Sequence, residues 1–134
     1  MARLIDKWIE KLEGNKDYNL SEEDALRIVF ENIIASLKQT VNVNKLLFAG
    51  SISKDDISHV GQRLSSLFTE RNENYPQFLF AGNVLADPET IDIAAQCDLI
   101  ILVERKNESV ITEIEKQIMA YQDMGKKILG YIMV

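Results

Sequence analysis

Apolar residues recur at two distinct spacings along the chain. From Met1 to Leu12, the residues Leu4, Ile5, Trp8, Ile9 and Leu12 share one helical face, and Lys7, Glu10 and Lys11 take the other. Gly14 and Asn15 break this segment, which predicts an N-terminal amphipathic helix within residues 1–14. A second helix is predicted from Asn19-Leu20-Ser21, with Ser21 and Asp24 as a capping pair, because the Ser oxygen can take an orphan N–H of the first turn. Its apolar positions are Leu26, Val29, Phe30, Ile33 and Leu37, and it ends near Lys38 to Thr40.

Four continuous apolar runs follow: Lys45–Ala49, Gln77–Ala81, Leu99–Val103 and Ile128–Val134. None alternates apolar with polar, as expected of strands covered on both faces, the signature of a parallel sheet. Helical patterns separate them. Ile57, Val60, Leu64, Leu67 and Phe68 mark one; Ile91 with Ala94 and Ala95 marks a short second, opened by an Asp87 cap and Pro88; Ile111, Ile114, Ile118 and Tyr121 mark a third, closed by Gly125 beside Lys126 and Lys127. Strands alternating with helices predict a three-layer α/β/α domain over residues 20–134 with a mostly parallel four-stranded sheet, preceded by two N-terminal helices. Arg71–Pro76 is the one notable polar loop, and the sequence ends directly on the last predicted strand, as a fragment of a longer chain would.

Composition narrows the function classes. The chain has 134 residues, 46% hydrophobic and 27% charged, which is one ordinary globular domain by size. A net charge of −6 disfavours nucleic acid as a partner. One cysteine allows no internal disulfide, and one histidine allows no Cys/His metal cluster. No run is long enough to insert in a membrane, no signal peptide stands at the start, and the composition suits a reducing, cytoplasmic setting.

Ligands of open α/β sheets bind beyond the carboxyl ends of the strands. The first strand leads through Gly50-Ser51-Ile52-Ser53-Lys54-Asp55-Asp56 into a helix, where a phosphate-binding loop would stand. Counted from Gly50, Asp55 and Asp56 occupy the places of the motif's Gly and Lys, and Ile57 that of its magnesium-binding hydroxyl. Two carboxylates there repel a triphosphate and already satisfy the positive helix end. Ser53 and Asp56 therefore read as another capping pair, with Lys54 the one residue left that could touch a phosphate. The second strand offers no carboxylate for magnesium, and Gly82-Asn83 after it reads as a turn. His59 reads as a surface residue and Cys97 as a small buried hydrophobe. Asp92, Asp98 and Glu104 read as solvated acids near strand ends. No catalytic residues, metal site or cofactor are expected from these residues.

The order of pieces resembles a known family. Asp24-Ala25-Leu26-Arg27-Ile28-Val29-Phe30-Glu31-Asn32-Ile33, then Val84-Leu85-Ala86-Asp87-Pro88, Ala95-Gln96-Cys97-Asp98 running into Leu99–Val103, and Gly125–Val134 are similar to the bacterial tyrosine autokinases of capsular and exopolysaccharide synthesis. These are P-loop proteins related to the MinD/ParA ATPases. The resemblance covers residues 20–134 with gaps. It implies a P-loop-like fold lacking its A′ strand, hence strand order 2-1-3-4. It also implies a partner-packing helix, here carried by Asp24, Arg27 and Phe30, with Phe30 either in that contact or in the core. The family's Walker A Lys, Walker B Asp and C-terminal tyrosine cluster are absent. The resemblance thus implies a non-catalytic, pseudokinase-like interaction or regulatory domain at the inner face of the membrane. Its partner would be a membrane chain-length protein, a related kinase or a second copy. The alternative reading is a small-ligand or nucleotide-binding domain using backbone N–H groups of the Gly50–Lys54 loop.

Overall fold

The computed structural model describes residues 22–39, 43–71, 75–105 and 109–134. The predicted helix of residues 1–14, the Ser21 cap and the middle of the Arg71–Pro76 loop lie outside them. Eight elements follow in chain order: α1 (Glu22–Lys38), β1 (Lys45–Ala49), α2 (Lys54–Glu70), β2 (Gln77–Phe80), α3 (Pro88–Ala95), β3 (Leu99–Glu104), α4 (Ile111–Asp123) and β4 (Lys127–Met133).

The four strands form one all-parallel sheet in the order β2-β1-β3-β4. Two parallel strands cannot be joined by a tight turn, so each connection carries a helix across a sheet face. The side-chain period of two then divides each strand between two cores. Leu46, Phe48, Leu99, Ile101 and Val103 face α1 and α2. Leu47, Ala49, Ile100 and Leu102 face α3 and α4. Every residue of β3 is buried, which explains its unbroken apolar run; each such side chain contributes about 1.5–3 kcal/mol on burial. In β4 the phase slips, because Ile100 pairs with Ile128 but Ile101 pairs with Gly130. The extra residue lets Leu129 join one core and Tyr131 the other.

Helix ends follow the chemistry of their residues. Ser53 caps α2 by accepting the Asp56 N–H at 3.2 Å. Asp87 caps α3 by accepting the Glu89 N–H at 3.1 Å, with Pro88 in the first turn. Gly125 follows α4 at a φ of 74°, where a side chain would be strained. Two helical phases differ from expectation. In α3 the buried pair is Thr90 and Ala94, while Ile91 is 45% exposed and Ala95 is also exposed. Thr90 turns inward because its hydroxyl accepts the Gly82 N–H and donates to Asp87 Oδ2, both at 3.1 Å. In α4, Ile114, Ile118 and Tyr121 are buried but Ile111, in the first turn, is 72% exposed.

Candidate functional site

The strand order fixes where a ligand crevice belongs. The chain steps from β1 to β2 on one side and reaches β3 on the other, so the loops after β1 and β3 part at the carboxyl ends of these neighbours. The loop after β1 is the Gly50–Asp56 segment. The loop after β3 begins at Glu104 and Arg105.

These two loops are joined by a polar network centred on Glu104. Glu104 is wholly buried, which corrects the expectation of a solvated acid at a strand end. Its place in β3 sets it on the α4 side, in phase with Ile100 and Leu102. The Ser51 N–H donates to Glu104 Oε1 at 3.1 Å and to Oε2 at 3.3 Å. The Ser51 and Ser109 hydroxyls both donate to Oε2, the latter at 2.6 Å. From α4, Gln117 Nε2 donates to Oε1 at 2.9 Å. A buried carboxylate is tolerated when its oxygens are satisfied in this way. The loop supports itself too, since the Arg105 N–H donates to Ser109 Oγ at 2.9 Å. Farther in, Gln117 Oε1 and the Tyr121 hydroxyl are buried with no hydrogen-bond partner among the described residues. Burial, then the nearby Cys97 and Glu104, push the Tyr121 phenol well above its ordinary range.

At the mouth, Arg105 Nη2 pairs with Asp56 Oδ2 at 3.0 Å, tying the end of β3 to the first turn of α2. The hydrogen bond with Ser53, then that with Arg105, hold Asp56 below the ordinary carboxylate range. Gly50 is required underneath. A Cβ there would stand 2.0 Å from the Val103 carbonyl oxygen, so only glycine lets β1 end this close to β3. Its N–H donates to the Gly82 carbonyl at 3.2 Å.

The expected loop residues thus divide. Gly50, Ser51, Ser53 and Asp56 are brought into one structure, while Lys54 and Asp55 stand exposed. Asn83 makes a turn, its Oδ1 accepting the Leu85 N–H at 2.9 Å. Cys97 is buried, and burial pushes its thiol up. His59 and Asp92 are exposed. Asp98, also exposed, accepts the Asn44 and Lys45 N–H groups at 2.8 and 3.1 Å, and these bonds hold it below the ordinary carboxylate range.

On α1, Asp24 and Arg27 are exposed, but Phe30 is 1% exposed. Phe30 therefore belongs to the core and is withdrawn from the partner-facing set. It meets Phe68 edge to face at 4.7 Å. Arg27 lines a groove of about 260 Å³ between α1 and α2, with Leu26, Arg63, Ser66, Leu67 and Glu70.

Among the described residues, no group of three His, Cys, Asp or Glu side chains could hold a metal. No helix among them is long and apolar enough to cross a membrane. No family model, no curated protein and no solved structure matches this chain.

Proposed function

We propose that this domain is a non-catalytic, pseudokinase-like interaction or regulatory module of capsular or exopolysaccharide synthesis or export. One observation carries the non-catalytic part. The crevice between β1 and β3 holds the protein's own carboxylate, Glu104, on the Ser51 N–H and the Ser51 and Ser109 hydroxyls. These are donors of the kind that a bound phosphate needs. An internal anion already satisfies them, and its charge repels a second one.

The polysaccharide setting, and a membrane chain-length protein or related kinase as partner, rest on the resemblance of residues 20–134 alone. In this reading Asp24 and Arg27 meet the partner from the exposed side of α1, at the inner face of the membrane. The alternative, a small-ligand or nucleotide site on the Gly50–Lys54 amides, has less to work with. The Gly50 and Ser51 N–H groups are already engaged, by Gly82 and Glu104.

Isothermal titration with Mg-ATP and Mg-ADP tests the reading. The expected outcome is no saturable heat at millimolar nucleotide. Saturable micromolar binding would overturn it and favour the ligand-binding alternative, since it would require the Glu104 network to open.

A further inference from the structure

The two edges of the sheet differ. At one edge, Leu129–Ile132 of β4 are buried. At the other, β2 is open: Gln77 is exposed and Phe78, Leu79 and Phe80 are half-buried. Hydrogen bonds to β1 fix which way the main chain of β2 turns. The Gln77 N–H donates to the Asn44 carbonyl at 2.9 Å, and the Ala81 N–H to the Phe48 carbonyl at 3.0 Å. Residues of a parallel strand alternate between its two sides, so Phe78 and Phe80 turn their N–H and C=O groups outward, away from β1.

We propose that β2 pairs antiparallel with β2 of a second copy of this chain, about a two-fold axis through Leu79, so that two four-stranded sheets become one continuous sheet. Three observations single out a second copy. The first is self-complementarity. In this register Phe78 of one copy faces Phe80 of the other, and each such pair exchanges two N–H···O=C bonds. Leu79, on the α3 face, then meets its own copy at the close spacing of a non-hydrogen-bonded pair. Pro76 has no N–H and ends the pairing just before Gln77.

The second is charge. At a net charge of −6, two copies repel each other unless they meet through an uncharged margin. Ser58, Gln62, Ser65 and Thr69 share one flank of α2 at helical spacing, and none is charged. The Ser65 hydroxyl donates to the Tyr75 hydroxyl at 3.1 Å, just ahead of β2, which sets this flank on the open edge. Arg63 and Glu70 lie on the other flank, in the groove with α1. The third is fit. α2 packs on both β1 and β2, and neighbouring strands lie about 4.8 Å apart. The two-fold axis therefore sets α2 about 10 Å from its copy, the distance at which helices pack. The strand edge and the flank of a 17-residue helix bury on the order of 1,000 Å² in all. That is the lower limit of a specific interface, so the dimer is reversible. The interface uses neither the exposed side of α1 nor the Glu104 crevice, and it stands apart from the pseudokinase-like reading.

Sedimentation equilibrium of the full chain from micromolar to millimolar concentration tests the proposal. The wild type should show a monomer–dimer equilibrium. Gln62 is exposed, and its neighbour Gly61 lies against the Phe80 ring, which sets Gln62 close to the axis. Gln62→Glu and Gln62→Lys should each weaken dimerisation about tenfold or more, because like charges then face each other, with far-ultraviolet circular dichroism unchanged. Mixing the two variants should restore the dimer, since unlike charges then meet across the axis. Met119→Glu, on α4, should leave the equilibrium unchanged. In the wild type, the Phe78 and Phe80 amides should exchange hydrogen more slowly as protein concentration rises. A wild type that stays monomeric at millimolar concentration overturns the proposal. So does a mixture of the two Gln62 variants that stays monomeric, or a dimer weakened by Met119→Glu but not by Gln62→Glu. Protection of Phe78 and Phe80 that is independent of concentration would mark a different occupant of the edge and overturn it too.

Discussion

Glu104 holds the most consequential position in the chain. Its carboxylate is the common acceptor for one main-chain and three side-chain donors from three segments. Glu104→Ala would leave the wholly buried Gln117 amide without its acceptor, while Ser51 and Ser109, nearer the surface, could turn to water; an unsatisfied buried group costs about 1–3 kcal/mol. We expect a loss of roughly 1–3 kcal/mol in urea unfolding, with Glu104→Gln falling between the variant and the wild type because it keeps the volume and one acceptor oxygen. A loss under about 0.5 kcal/mol, the usual size of a surface change, would mean that the network is ornamental. The role of Glu104 was only half legible. An acid after five apolar residues reads as a strand end meeting water. The missed signal is Gln117, which falls in the buried phase of α4 with Ile114, Ile118 and Tyr121. A glutamine there needs a buried polar partner, and periodicity weighed on apolar residues alone passes over it. Asp98 is the opposite case, an exposed acid with a defined task. Its pKa is held down by the Asn44 and Lys45 N–H groups. A depressed carboxylate contributes stability above its unfolded pKa of about 3.9, and that contribution disappears as pH falls through the lower folded value. Asp98→Asn should therefore be less stable than the wild type at pH 7, and the two should converge as the pH is lowered below about 4. A gap that is constant from pH 7 to pH 2 would count against the ionised-acceptor role.

Among the elements, α2 shows how a helix is set by its nearest strand. Its apolar positions Ile57, Val60, Leu64 and Phe68 were legible from their spacing, as was the Ser53 cap. Gly61 was not, because nothing in a helical pattern says what lies opposite. A Cβ at Gly61 would come within 2.0 Å of Phe80 Cε1 and 2.7 Å of Cζ. The Phe80 ring stacks on Phe48 at 5.8 Å, so it cannot simply swing aside. Gly61→Ala gains about 1 kcal/mol of helix propensity but overpacks this contact, a change that typically costs about 1–3 kcal/mol. We expect net destabilisation of the single variant. In a Phe80→Leu background the same change should become neutral or favourable, so the double-mutant cycle should show strong coupling. Additive effects would mean that the helix shifts as a body. Where local pattern failed, tertiary placement was the reason. Ile111 has helical spacing but lies in the first turn of α4, ahead of the buried stretch. In α3 the Thr90 hydroxyl bonds set the rotation, not Ile91.

The molecule as a whole was more legible than its site. Four continuous apolar runs separated by helices leave few arrangements, and the order 2-1-3-4 expected from the resemblance is the one observed. That order has a thermodynamic consequence. The two cores lie on opposite faces of one sheet, yet neither belongs to a separate stretch of chain. Leu46 and Phe48 serve one core while Leu47 and Ala49, on the same strand, serve the other. In β3, Leu99, Ile101 and Val103 alternate likewise with Ile100 and Leu102. Neither face can lose its packing without disturbing both central strands, so the faces should unfold together. Cys97 offers a probe of the α3/α4 face. It is buried there, and burial raises its thiol pKa, so a thiol reagent should react with it only on opening. The phenylalanine bands of the near-ultraviolet circular dichroism report the other face, where Phe30, Phe48, Phe68, Phe78 and Phe80 all lie. In a urea series, pulse-labelling of Cys97, near-ultraviolet signal and far-ultraviolet signal should give one midpoint. If Cys97 became reactive at clearly lower urea than the aromatic signal was lost, α3 and α4 would be a separate unit. The sheet would then not couple its two faces, despite the strands they share.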